Sequence, residues 1–146
     1  MTAPRQTFGK FLRSLGGGEA VAGGDTLWVL GDGRFRIDVV GESNYQEALE
    51  TAAGGRRPKG VNQTVTAQLA MEDDNPYDSK AVAVRIDGAK VGYLSRDDAR
   101  RFREEGGELL ASAQRILCRG RVRGGWSRGP RDRGHFGVTL DIGARL

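Results

Sequence analysis

The chain has 146 residues and a formal charge of +4, with 38% hydrophobic and 29% charged side chains. A chain of this length can bury about 68–70% of its unfolded surface, so one domain needs neither disulfide nor metal to fold. The single cysteine, Cys118, excludes an internal disulfide, and the single histidine, His135, excludes a Cys/His zinc cluster. No run approaches the ~20 apolar residues of a membrane-spanning helix. Gly9, Lys10 and Arg13 interrupt the apolar positions of Met1–Leu15, where a signal peptide needs a continuous core. The expected setting is cytoplasmic.

In chain order, residues 1–24 read as an appendage. Phe8, Phe11, Leu12 and Leu15 have the i, i+3, i+4, i+7 spacing of a short helix, and the glycines of Gly16–Gly24 form a linker. One domain is expected over residues 25–146. Thr26–Leu30 and Arg34–Val40 flank Gly31-Asp32-Gly33 and predict a hairpin. Tyr45–Ala53 predicts a short helix, Gly54–Gly60 a basic loop and Thr64–Ala70 a strand. Lys80–Ile86 and Lys90–Leu94 flank Asp87-Gly88-Ala89, a second hairpin. Ser95 suits a helix N-cap with Asp97 and Asp98 in the first turn, and Gly106-Gly107 should end that helix. Gln114–Arg123 and His135–Ile142 complete the strands, joined by Gly124–Gly134. Many short strands, glycine-rich turns and no β-α-β alternation predict a small, mainly β fold. The expected form is an OB-like antiparallel barrel of about six strands with two short helices.

Charge is unevenly spread. Residues 106–146 carry eight arginines against three carboxylates, net +5, whereas residues 1–69 sum to +1 and residues 70–105 to −2. A local basic surface suits a polyanion such as nucleic acid, although a solvated face without a partner has the same composition. Alternation along Gln114–Arg123 puts Ile116, Cys118, Gly120 and Val122 on one face and Arg119, Arg121 and Arg123 on the other. Side chains two apart on a strand stand about 6.6 Å apart, a spacing that can follow phosphates. An ordinary charged edge strand reads the same way. In the next loop Trp126 sits among Arg123, Arg128, Arg131 and Arg133, as in single-strand binders that stack bases between cations.

Catalytic patterns are few. The chain has no phosphate-binding Gly-x-x-x-x-Gly-Lys-Ser/Thr loop. Glu72-Asp73-Asp74 with Asp78 could hold Mg²⁺ in a nuclease, but Asp74-Asn75-Pro76-Tyr77-Asp78 is first a turn. Cys118 is expected to be a buried, inert thiol.

Three stretches resemble a known family. Glu72-Asp73-Asp74-Asn75-Pro76-Tyr77-Asp78, then Ala81-Val82-Ala83-Val84, then Val91-Gly92-Tyr93-Leu94-Ser95-Arg96 are similar to the HIRAN domain, with Val40–Leu49 like its opening strand and turn. The resemblance spans roughly Phe35 to Ile142. It implies an OB-like barrel that binds single-stranded DNA and captures a free 3′-hydroxyl end. It further implies that Tyr77 stacks on the terminal base, Asp78 accepts from the 3′-hydroxyl and Arg96 contacts phosphate. Phe136 would be a further base-contacting aromatic. Helicase-like transcription factor, a member of the family, has Arg-Tyr-Tyr where this chain has Ser43-Asn44-Tyr45, so Tyr45 alone is retained there. Tyr93 stands in place of a histidine and offers another stacking surface. The expected function is therefore a non-enzymatic, cofactor-free DNA-end-binding domain for repair or replication, alongside an ATPase acting in trans. The alternatives are a protein-interaction module that recruits a DNA-processing enzyme, and the Mg²⁺-dependent nuclease.

Overall fold

Alternating apolar and polar residues dominate the second half of the chain, and the computed structural model, which describes residues 13–15, 18–23 and 25–143, turns them into long paired strands. The strands are β1 (Arg13–Leu15), β2 (Gly18–Gly23), β3 (Thr26–Leu30), β4 (Ile37–Val40), β5 (Val61–Glu72), β6 (Ala81–Ile86), β7 (Ala89–Leu94), β8 (Arg115–Gly124) and β9 (Phe136–Asp141). Helix α1 spans Gln46–Ala53 and α2 spans Arg96–Ser112. Six strands, in the order β8-β5-β6-β7-β4-β9, close through β8–β9 pairing into an antiparallel barrel. Closure leaves these six without an open edge along the ring. Its interior is apolar: Ala67, Leu69, Val82, Val84, Val91, Cys118, Val122 and Leu140 are almost fully buried.

Two turns follow directly from local chemistry. Asp87 and Gly88 both take positive φ (52° and 81°), as a two-residue hairpin requires, so β6 and β7 pair as the sequence predicts. Ser95 caps α2, its hydroxyl oxygen accepting the Asp98 N–H at 3.1 Å.

The first expected hairpin does not form. β3 pairs with β2 and, in parallel, with the start of β8, whereas β4 pairs with β7 and β9. β3 and β9 share one edge of β8: β3 lies beside Thr26-paired Arg115 through Leu117, and β9 beside Arg119 through Gly124. The segment 31–36 must therefore step over the end of β9. The buried carboxylate of Asp141, on that end, accepts the Gly33 N–H (2.9 Å) and the Phe35 N–H (3.4 Å) and pins the crossing. A Cβ on Gly31 would run into Asp141, so glycine is needed at this approach.

The glycine pair 106–107 ends the first helical stretch of α2 as expected: Gly107 takes φ 44°, ψ −122°, outside the helical region, and a second short helical stretch follows across this kink to Ser112. At the amino end, Phe8, Phe11, Leu12 and Gly16-Gly17 lie outside the described residues. Arg13–Leu15 is strand rather than helix, and Gly18–Gly23 is strand β2 rather than linker, because the two pair with each other and β2 pairs with β3.

Candidate nucleic-acid interface

The turn between β5 and β6 is built by one asparagine. The Asn75 side-chain oxygen accepts the N–H groups of Tyr77 (2.9 Å) and Asp78 (3.1 Å), while its amide donates to Glu72 (2.9 Å). Pro76, between them, fixes its own φ. The result holds the Tyr77 ring outward with 87% of the residue exposed. Such exposure of an aromatic on a pinned turn is unusual, because a ring this large ordinarily buries most of its area.

Asp78, next to it, is far less accessible, with its side chain only 11% exposed. One carboxylate oxygen accepts the Lys80 N–H (3.0 Å) and Arg100 (3.2 Å); the other accepts Arg100 at 3.4 Å, with Arg96 at 3.9 Å. Its pKa is lowered, first by the Lys80 N–H; burial opposes this, and Arg100 and Arg96 add to the lowering. The second oxygen keeps acceptor capacity, since each carboxylate oxygen has two lone-pair directions.

Beneath the turn, Glu72 accepts the Tyr93 hydroxyl (2.9 Å) and pairs with Lys90, which also donates to the Tyr93 oxygen (2.8 Å). The Tyr93 ring lies under the Lys90 ammonium at 4.9 Å, so much of the stacking surface expected of it is taken by Lys90. Arg96, Arg100 and Arg103 form one face of α2 and meet the turn together. Arg103 donates to Asp73 (2.7 Å) and to the carbonyls of Lys80 and Ala81. Asp73 and Asp78 thus face arginines rather than each other. Among the described residues no three metal-ligating side chains converge, and the carboxylates named for a nuclease are not clustered.

The family model for the HIRAN domain matches residues 32–105, half of the chain, including this whole turn and the face of α2 opposite it. The chain belongs to the HIRAN family. No curated protein and no solved structure matches it. HIRAN membership carries DNA binding with it.

The other expected contacts are scattered over the HIRAN barrel. Tyr45 is half-buried at the start of α1, where its carbonyl accepts the Leu49 N–H at 3.1 Å. Phe136 is 1% exposed, with the Arg56 guanidinium 4.9 Å from its ring centre; a core ring cannot contact a base. Arg119, Arg121 and Arg123 do project from the outer face of β8, as the alternation predicts. Arg121 and Arg119 lie 4.1 and 5.9 Å from the Phe35 ring centre, so part of that strip is already stacked. A cleft of about 200 Å³ opens beside it, lined by Arg121, Arg123, Gly137, Thr139, Asp38 and Glu42. Trp126 lies against Gly134 with the Arg128 guanidinium 5.2 Å over its ring. It is a half-buried support rather than an open stacking surface.

Arg100, Arg103 and Lys90 are the partners of the turn that sequence reasoning missed, and Glu72, read there only as a possible metal ligand, serves instead as the acceptor for Asn75, Lys90 and Tyr93. A signal for Arg100 existed: positions 96, 100 and 103 share one helical face, four and three residues apart, and the preceding turn is acidic.

Proposed function

We propose that this HIRAN domain binds single-stranded DNA, prefers a free 3′-hydroxyl end and does so without catalysis, in the service of repair or replication. The observation that supports this reading is the outward ring of Tyr77 held beside Asp78 by the Asn75 side chain. The ring would stack on a terminal base of any identity. A terminal 3′-hydroxyl could donate to the remaining acceptor direction of Asp78, whereas a 3′-phosphate would bring like charge against it. Arg96, the most exposed of the arginines on the turn, would meet the last phosphate. An ATPase supplied in trans and a cytoplasmic setting fit the reading.

The test is a titration with oligonucleotides that differ only in a 3′-hydroxyl or a 3′-phosphate. Tyr77→Ala should weaken both by about 1–3 kcal/mol, roughly fivefold to 150-fold. Its melting temperature should not move, because the ring is exposed. Asp78→Asn keeps an acceptor for Lys80 and should mainly erase the preference for the hydroxyl end. Equal affinity of the native protein for the two ends rejects end recognition.

A further inference from the structure

Two loops far apart in sequence meet at the end of the barrel opposite Tyr77. The α1–β5 loop pairs with the β8–β9 loop through a short parallel bridge between Arg57 and Trp126: the Arg57 N–H donates to Gly125 (3.3 Å), and the Arg57 carbonyl accepts the Ser127 N–H (2.9 Å). This junction gathers Arg57, Lys59, Arg128, Arg131 and Arg133, all exposed. Asp132 is the one carboxylate in residues 54–60 and 125–135.

Ion pairing separates the two ends of the molecule. At the Tyr77 end, Lys90, Arg96, Arg100 and Arg103 each have a carboxylate partner, and Lys80 has none among the described residues. At the two-loop end none of the five exposed cations has one among the described residues; only the half-buried Arg56 is paired, with Glu50. Five like charges held together by backbone pairing repel one another, and a polyanion relieves that repulsion.

We propose that the two-loop end holds the phosphate backbone of duplex DNA flanking the single-stranded 3′ end, which makes a 3′-tailed duplex the preferred ligand. The proposal rests on the end-binding reading above. Three observations choose duplex backbone over unpaired bases and over a short oligonucleotide. The aromatic at this end, Trp126, is covered by Arg128 and Gly134 and offers bases little to stack on. The cations stand on both loops, as contacts to a broad backbone require. And β5, whose start lies at the two loops and whose end carries the Tyr77 turn, has 12 residues. At about 3.3 Å per residue the two ends are at most roughly 36 Å apart, about ten nucleotides of stacked single strand at 3.4 Å each. Between them the outer face of β5 presents Asn62, Thr64 and Thr66 beside Arg123, Arg121 and Arg119 of β8, a polar track for the connecting strand.

The experiment compares a labelled 3′-hydroxyl single strand of about ten nucleotides with the same strand as the tail of a duplex, by fluorescence anisotropy over a range of salt. The native protein should bind the tailed duplex about tenfold or more tighter and with a steeper salt dependence. The triple variant Arg57→Ala/Lys59→Ala/Arg131→Ala should lose most of the preference for the tailed duplex, Arg128 and Arg133 remaining. Its slope of log K against log salt on the tailed duplex should fall by up to about 2.7, at 0.9 for each duplex phosphate lost. The loop bridge uses only the backbone of Arg57, and Arg131→Glu alone serves as a second variant that touches no pairing. Equal native affinity for the two ligands, or an equal loss on both in the variants, overturns the proposal. Failure of the end-binding reading would look different: a 3′-phosphate would bind as well as a 3′-hydroxyl while the gain from the duplex persisted.

Discussion

Glu72 shows how one side chain ties the candidate site to stability. Burial opposes its ionisation, but hydrogen bonds from Lys90, Asn75 and Tyr93 outweigh that and hold its pKa below the ordinary 4.5. A carboxyl with a lowered folded pKa contributes stability above its unfolded pKa and loses it as pH falls through the folded one. The contribution of Glu72 is therefore complete above about pH 4.5 and fades at lower pH. Glu72→Gln should lower stability at neutral pH by about 1.5–3 kcal/mol, the range for hydrogen bonds to a charged group. The same variant should flatten the acid limb of a plot of melting temperature against pH. An acid limb that keeps its full slope would mean that this network does not set it. The Tyr77 ring, fixed by the same Asn75 that bonds Glu72, should lose its orientation and part of its DNA affinity in that variant.

Strand β8 and helix α2 carry the element-scale arguments. On β8 the alternation delivers both faces as read: Ile116, Cys118, Gly120 and Val122 are buried, and Arg119, Arg121 and Arg123 point outward. A guanidinium stacked on an aromatic ring keeps its N–H edge free for an anion, so stacking on Phe35 does not by itself occupy the donors of Arg121. Arg119→Ala/Arg121→Ala should reduce the salt slope for single-stranded DNA by about 1.4, at 0.7 per phosphate. A slope identical to that of the native protein would show that the strand does not lie along β8. On α2 the kink belongs to Gly107, whose φ and ψ suit only glycine. Gly107→Ala should cost about 1–3 kcal/mol in denaturant unfolding, the usual price of a strained backbone position. No loss would show that the kink straightens without cost. Gly106 is constrained for another reason, since a Cβ there would strike the Leu110 side chain.

At the scale of the whole molecule, barrel closure is what protects the single thiol. Cys118 is fully buried between paired strands, and burial, with the negative charge of Asp141, pushes its pKa up to about 12. The reactive thiolate is scarce and unreachable in the folded state. A thiol reagent should therefore label Cys118 only as fast as the barrel opens, and the rate should rise with denaturant in parallel with global unfolding. Rapid stoichiometric labelling of the folded protein would mean that β8 separates from β5 or β9 locally. Because β8 also carries the arginine strip, such opening would alter DNA binding as well.

Local rules determined much of this protein from its sequence alone. Period-two alternation gave β8 its inward and outward faces, because side chains on a strand must alternate whatever pairs with them, and the Asp87-Gly88 turn placed β6 and β7. The Asn75-Pro76 turn and the Ser95 cap were legible because each closes within a few residues. The motif from Glu72 to Arg96 was enough to indicate HIRAN. Tertiary structure alone decided which strands became neighbours. A hairpin seemed due at Gly31–Gly33, but β9 took the place beside β4, and Asp141, over a hundred residues away, holds the crossing. Phe136 and Trp126 looked like free aromatics in a basic stretch, and packing against Arg56, Gly134 and Arg128 occupied them. The two-loop basic end was invisible for the same reason. Its charges lie on segments about seventy residues apart, and only closure of the barrel, which sets the start of β5 beside the end of β8, brings them together.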